Sequence, residues 1–300
     1  MRRTRGFALI LVIWCLLLLT SLATGFALAV RHETRVAADL SALARAEAAA
    51  TAALHTTILA LSTNDRENRW IADNSTHAIP WPSAKVAVRV QSESGRIDIN
   101  RAPRELLAGL FEQLFPDSDS QTLADTLIDW RDRDDQEQPK GAENASYSQA
   151  GYGYTPSNTA FYSTDELSQV MGFNNVMVEK AKPFLTVHSR QPRVNAISAD
   201  LVVLKSIPGV DQAAAEAFVA QREIALQEDA DVDYTLLRNG RRHVDKKLGG
   251  KLFSLDIEVR VNDGLTRREH AVIRLSRRDA YSLLLRETLP VAAVQVREQL

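Results

Sequence analysis

The sequence predicts an α+β chain: one long N-terminal hydrophobic helix, an antiparallel sheet, and a large α-helical domain inserted into that sheet. Three observations carry this. No charged residue occurs from Phe7 to Val30, and eleven alanines with no proline or glycine follow between Ala37 and Ala60. Strand-like alternation occurs near both ends of the part that follows, at Lys85–Val90 and again after Lys251. Between them, from Asn100 to about Asp233, apolar residues recur with helical spacing. Strands at both ends with helices between make α+β, not an alternating α/β chain.

The uncharged run of 24 residues would span about 36 Å as a helix, enough for a hydrocarbon core of about 30 Å. Arg2, Arg3 and Arg5 precede it and favour an N terminus held in the cytoplasm. A cleaved secretory signal has a shorter apolar core and a small-x-small cleavage site. A signal anchor fits the length. Beyond the run, Val36, Leu40, Leu43, Ala50, Leu54, Ile58 and Leu61 form a stripe interrupted once by Glu47, which needs a surface to bury against. One helix from Phe7 to about Leu61 would be roughly 80 Å long.

Next, Asn64–Pro82 is polar with two prolines and reads as a linker. Lys85–Val90 is expected to turn at Ser94-Gly95 into Arg96–Ile99 as a short hairpin. Helices are expected at 104–115, 123–130, 164–171, 176–184, 199–206 and 211–227. Strands return at 251–261, turn at Asn262-Asp263-Gly264, and continue through 268–275 to a weaker 281–287.

A weak repeat lies within the helical part. Ile99–Leu107 aligns at an offset of 95 with Val194–Val202, each with an asparagine followed by a residue suited to starting a helix. Ser206-Ile207-Pro208-Gly209-Val210-Asp211 has the look of a helix-hairpin-helix turn. Such turns hold DNA phosphate on backbone N–H groups. Here Asp211 stands where a second glycine is usual, and Asp200 and Glu216 add further negative charge. The turn therefore reads as architectural, and a membrane-anchored DNA-binding receptor is the alternative.

Composition narrows the function. The 300 residues are 45% hydrophobic and 25% charged with a net charge of −2, so no overall field favours nucleic acid. Cys15 is the one cysteine, which excludes a disulfide framework or thiolate zinc cluster. The six histidines are scattered, and no GxSxG, Walker A or GxGxxG motif occurs, so an enzyme is not expected. The densest carboxylate cluster runs from Asp129 to Glu143, six acids against three bases. Asp132, Asp134 and Asp135 on an irregular segment near Gly141 could form an oxygen cage for calcium, though not an EF-hand. A solvated acidic loop is the other reading of the spacing.

Particular residues sharpen this picture. Arg5-Gly6 abuts Phe7-Ala8-Leu9-Ile10-Leu11, as in prepilins and pseudopilins cut by a dedicated peptidase after the glycine. Asp98-x-Asn100-x-Ala102-Pro103, Asp129-Trp130, Gly141-Ala142-Glu143 and Tyr154-x-Pro156-x-Asn158-x-x-Phe161-x-Ser163-x-x-Glu166-Leu167 resemble the K-class minor pseudopilins of the type II secretion system (GspK family). The resemblance runs in order from Arg5 to about Leu275, with only these islands specific.

That resemblance implies a pilin-like fold with calcium bound in the inserted helical domain. It makes Asp129, Asp132, Asp134, Asp135, Glu143 and Glu166 candidate calcium ligands. It implies cleavage between Gly6 and Phe7, methylation of the Phe7 amine, and partners among the other minor pseudopilins, the major pseudopilin and the prepilin peptidase. Secreted proteins are further possible partners, and nucleic acid is not. Major pilins carry glutamate at the fifth mature position, whereas counting from Phe7 gives Leu11 here. Without that carboxylate the subunit cannot pair with the terminal amine of a subunit ahead of it, which implies a place at the tip of a short pseudopilus. The chain would be a single-pass bacterial inner-membrane protein with its C-terminal part in the periplasm, aiding assembly for export across the outer membrane. A type IV pilus minor pilin is the neighbouring alternative. The implied divisions are leader 1–6, transmembrane and pilin helix 7–61, linker and first strands 62–99, inserted helical domain 100–245 and C-terminal strands 246–300.

Overall fold

A computed structural model describes residues 5–63, 65, 68–228, 230–246, 251–261, 264–276 and 281–290, with side chains from Leu11 onward. Residues 1–4 of the expected leader, and Asn262 and Asp263 of the expected turn, lie outside the described residues. Helix α1 runs unbroken over Arg5–Ser62. Strands β1 (Asp73–Trp81), β2 (Ala84–Ser92), β7 (Leu252–Val261), β8 (Thr266–Leu275) and β9 (Tyr281–Leu289) form one antiparallel sheet in the order β1-β2-β7-β8-β9.

The sheet buries one face on the last third of α1. Ala46, Ala50 and Ala53 are fully buried, with Leu54, Ile58 and Leu61 continuing the contact against Val88, Leu255, Ile257 and Ala271. Alanines here let the helix lie close to the strands. The apolar stripe read from the sequence is buried only in this part. Val36, Leu40 and Leu43 are exposed, because no strand among the described residues reaches that far down the helix.

Among the described residues, every helix after α1 lies between β2 and β7, which pair directly, Ser92 opposite Phe253. These are α2 (Arg104–Leu114), α3 (Ser120–Arg131), α4 (Asn144–Gln149), α5 (Asn175–Ala181), α6 (Leu201–Lys205) and α7 (Gln212–Glu228). Short parallel bridges tie this part together: β3 (Ile97–Asp98) to β4 (Leu185–Thr186), and β5 (Val194–Asn195) to β6 (Val244–Asp245). It has its own core, with Leu106, Phe111, Leu127, Leu204 and Phe218 fully buried. Each such side chain contributes about 1.5–3 kcal/mol of transfer free energy.

Two expectations fail. Residues 73–81 are a strand, not part of a linker. Pro80 is tolerated there because β1 is an edge strand with no neighbour on its far side to receive its missing N–H. The expected hairpin at Ser94-Gly95 does not form. Glu93–Gly95 is a 3-10 turn, and the buried Glu93 carboxylate accepts hydrogen bonds from Ser254 of β7 and Thr186 of β4. The chain is thereby drawn out of the sheet, and Ile97–Asp98 pairs with β4 instead of returning along β2.

The two segments aligned in the sequence meet similar partners in a different register. Pro103 and Asp200 are the N-caps of α2 and α6, an offset of 200 − 103 = 97. Arg131, at the end of α3, donates to the carbonyls of Ile99 and Ala102, the latter at 2.7 Å. Arg222 of α7 donates to those of Ala196 and Ala199, both at 2.6 Å. These carbonyl pairs are again 97 apart.

Candidate functional site

The exposed face of α1 is the first candidate. From Leu11 to Val30 the helix carries Trp14, Leu16 to Leu19, Leu22, Phe26 and Leu28 with no protein packed on them. A surface of this length and character in water is unfavourable, and a bilayer satisfies it. Leu11 is exposed, and the backbone of Gly6 and Phe7 is helical.

The helical part stands at the end of α1 away from this apolar run. Tyr281 of β9 lies edge-on to His55, and Arg286 donates to Thr51 at 2.9 Å, so β9 descends the helix toward its N terminus. Tyr281 pairs with Leu275, which in turn binds Lys251 beside the start of β7, where the helical part returns to the sheet. From Val30 to His55 is about 38 Å of helix.

The acidic loop after α3 is the second candidate. Three acids of α3 or its cap strap the loop down. Asp119 caps the helix and pairs with Lys140 Nζ at 2.6 Å. Asp125, fully buried, receives the Arg104 guanidinium and the backbone N–H of Lys140 at 3.2 Å. Asp129, also fully buried, accepts from the backbone N–H groups of Gln138 and Ala142, at 3.2 and 2.8 Å. A side chain at Gly141 would put its Cβ 2.7 Å from the Asp129 Cγ, so only glycine lets the loop approach this closely.

The strapped loop gathers carboxylates whose charge is not relieved. Burial pushes Glu143 up to about 7, and the negative charges of Asp129, Asp132, Asp135 and Asp134 push the same way. Burial likewise raises Asp129 to about 6 against the pull of its two amide bonds, and raises Asp132, aided by Asp134. Both Glu143 carboxylate oxygens, Asp132 Oδ1 and Asn158 Oδ1 are buried without a hydrogen-bond partner. Asp135 accepts from Asn158 Nδ2 at 3.1 Å and Asn144 Nδ2 at 3.4 Å. Asp134 accepts from the backbone of Gln136.

The structure thus brings Asp132, Asp134, Asp135 and Glu143 into one electrostatic neighbourhood with Asn158. Asn158 was not among the acids read as candidate ligands. Glu166 stands apart: its carboxylate accepts from the backbone N–H groups of Tyr162 and Ser163 in a capping box. Asp129 serves the loop backbone. Among the described residues, no three His, Cys, Asp or Glu side chains stand ready-made around one point. The donors present are nonetheless hard oxygens, and a cation bound among oxygens is what would offset their burial.

The helix-hairpin-helix turn is exposed at its tip, where Gly209, Asp211 and Gln212 face outward. Gly209 has φ +82°, and a Cβ there would lie 3.2 Å from the Asn239 side chain. The turn at Asn239 packs against one side of the hairpin, and the carboxylate of Asp211 stands at its exposed tip.

Comparison with known proteins agrees with this architecture. Residues 87–190 match the family model for the type II secretion system (T2SS), protein K. The fold is similar to a chain in the crystal structure of the GspK-GspI-GspJ complex from the enterotoxigenic Escherichia coli type 2 secretion system. The identity is 19%, the TM-score is 0.60, and the match covers 84% of this chain and 96% of that one. No curated protein matches the sequence. Residues 87–190 are thus similar to the type II secretion system protein K domain, and they are set in a fold similar to that of the GspK-GspI-GspJ chain.

Proposed function

We propose that the chain is a K-class minor pseudopilin of the type II secretion system that caps the tip of the periplasmic pseudopilus and helps start its assembly. The observation that carries this is the position of the helical part, at the end of α1 opposite the apolar run. A subunit stacked beyond it would meet this bulk before it met α1. Leu11 supports the same reading, since a chain processed at Gly6 and Phe7 has no carboxylate at its fifth position to offer a subunit ahead. The exposed Val36, Leu40 and Leu43 are then covered by helices of other minor pseudopilins and the major pseudopilin. The solved relative was crystallised in a complex named GspK-GspI-GspJ, which supports such partners. Gold label on the C-terminal end of the chain should mark one end of isolated pseudopili, and label along the shaft would overturn the reading. N-terminal analysis of membrane protein should find methylated Phe7 first, and Met1 in a peptidase-positive cell would count against processing.

The division at 1–6, 7–61, 62–99, 100–245 and 246–300 belongs to this proposal, with the third part holding β1 and β2. So does the reading of 100–245 as an inserted domain of two related halves, supported by the paired arginines Arg131 and Arg222 at their equivalent carbonyls.

Calcium belongs to it as well. Asp132, Asp134, Asp135 and Glu143, joined by the Asn158 carbonyl oxygen, would hold the ion, and the partnerless buried oxygens support this. The ion would supply positive charge to carboxylates that burial otherwise penalises. Asp129 would fix the loop and Glu166 would cap the following turn. Chelator should lower the melting temperature of the detergent-solubilised chain, with calcium restoring it. No change would leave the loop a solvated surface.

A further inference from the structure

We propose that the two clefts flanking β6 form a binding site for an acidic protein segment. The first, about 400 Å³, has Val232, Leu237 and Val244 in its lining together with Tyr234, Arg238, Arg241 and Lys246. The second, about 490 Å³, shares Arg241, Val244 and Lys246 with the first and adds Arg193 and Arg242. Five cations therefore surround two adjoining hollows, against the two acids Asp233 and Asp245 that also line them. Arg193, Arg238, Arg241 and Arg242 are exposed and make no ion pair with any described residue. In a chain of net charge −2, this is a local reversal of sign.

The backbone beneath these side chains is fixed. Gly240 packs so closely on the hairpin that an added Cβ would lie 2.7 Å from Val210 Cγ2. Around it, Gly240 N–H bonds to Leu237 O, His243 N–H to Gly240 O, and Val194 N–H to His243 O, at 2.9–3.1 Å. Arg238, Arg241, Arg242 and Arg193 thus project from a braced turn and its parallel bridge to β5. The Lys246 ammonium sits 5.0 Å from the Tyr234 ring centroid. Guanidinium groups clustered on a braced backbone favour carboxylates, because each planar fork can bind one bidentately.

An acidic protein segment fits better than the other polyanions. The partly apolar lining suits a side chain interleaved among carboxylates. The clefts belong to the part of the chain some 38 Å along the helix from the apolar run, beyond reach of a bilayer surface. This last point rests on the membrane-anchored reading; the cleft chemistry does not. Duplex DNA needs several aligned phosphate contacts along a broad face, and the adjoining hairpin carries Asp200, Asp211 and Glu216.

The test uses the full chain in detergent and a fluorescein-labelled peptide of glutamate and leucine, with its glutamine counterpart as control. Fluorescence anisotropy at low salt should show binding of the acidic peptide alone, weakening as salt rises. The double variant R238E/R241E, and separately R193Q/R242Q, should bind about tenfold or more weakly while melting at the parental temperature. Absence of peptide binding at low salt would overturn the proposal, as would equal binding by variants that melt normally. Tighter binding of inorganic phosphate, phosphatidylglycerol vesicles or duplex DNA at the same arginines would also overturn it. Phe7 processing and tip labelling are unaffected by any of these outcomes, so failure here is distinguishable from failure of the pseudopilin reading.

Discussion

Gly141 and Asp129 form a pair in which each explains the other. Asp129 is fully buried on α3 and needs backbone N–H groups to tolerate that burial, and Gly141 allows the loop to bring them. Gly141→Ala should cost about 2–4 kcal/mol in a chemical melt, since either the loop lifts or Asp129 loses its donors. Glu269 shows the opposite balance. It is almost fully buried, which alone would raise its pKa, but bonds from Arg286 and Arg267 outweigh that and hold it below the ordinary value of 4.5. Its contribution to stability is therefore fully present above about pH 4.5 and is lost as pH falls through the depressed folded value. Glu269→Gln should lower stability by about 2–3 kcal/mol at neutral pH and flatten the acid limb of a pH–stability curve. At this scale the site was only partly legible. The acids announce themselves by density, but Asn158 becomes a candidate through the fold that leaves its carbonyl oxygen buried and unpaired. The Ser163-x-x-Glu166 spacing is the signature of a capping box, which accounts for where that carboxylate goes.

Among the elements, Arg131 and Arg222 do for two helix starts what side-chain caps do elsewhere. Each guanidinium closes a pair of carbonyls just before α2 or α6, and burial lowers the pKa of both. Arg222→Met keeps the apolar stem but leaves the Ala196 and Ala199 carbonyls without this donor. It should cost about 2–3 kcal/mol, whereas an exposed arginine such as Arg101 changed to Met should cost less than about 0.5 kcal/mol, both read from denaturant midpoints. The helices α1, α2, α3 and α7 were legible because their periodicity is local, as were β7 and β8, which alternate around a glycine turn. What escaped was non-local. The bridges β3–β4 and β5–β6 are two residues long and pair positions 88 and 50 residues apart, so no pattern along the chain marks them. The strand β1 escaped because Asn74 and Pro80 read as loop chemistry, and only pairing with β2 overrides them. The sequence alignment of Ile99–Leu107 with Val194–Val202 lies two residues off the spacing of the carbonyls that Arg131 and Arg222 bind, because that likeness is one of carbonyl geometry rather than residue type.

At the scale of the whole molecule, two apolar cores are held together by few polar contacts, and Glu93 is the center of them. One core joins α1 to the sheet and the other joins the helices. The Glu93 carboxylate, 1% exposed, receives the hydroxyl of Ser254 from the sheet, the hydroxyl of Thr186 from the helical part, and the Arg96 guanidinium at 3.0 Å. For the sheet and the helical part to move as one body this joint must be stiff, because neither core extends across it. Apolar burial cannot supply that stiffness here, since the residues at the crossing are Gln91, Ser92, Glu93 and Ser254, all buried and polar. Glu93→Gln keeps the volume but removes the charge that three donors converge on, and its amide N–H groups would face hydroxyls and a cation. The loss should be about 2–4 kcal/mol, and it should fall on the joint rather than on either core. Calorimetry of the detergent-solubilised chain should then show one transition for the parent and two for the variant, one for each core. A variant that melts in one lowered transition would mean that the cores are coupled through surfaces other than this carboxylate.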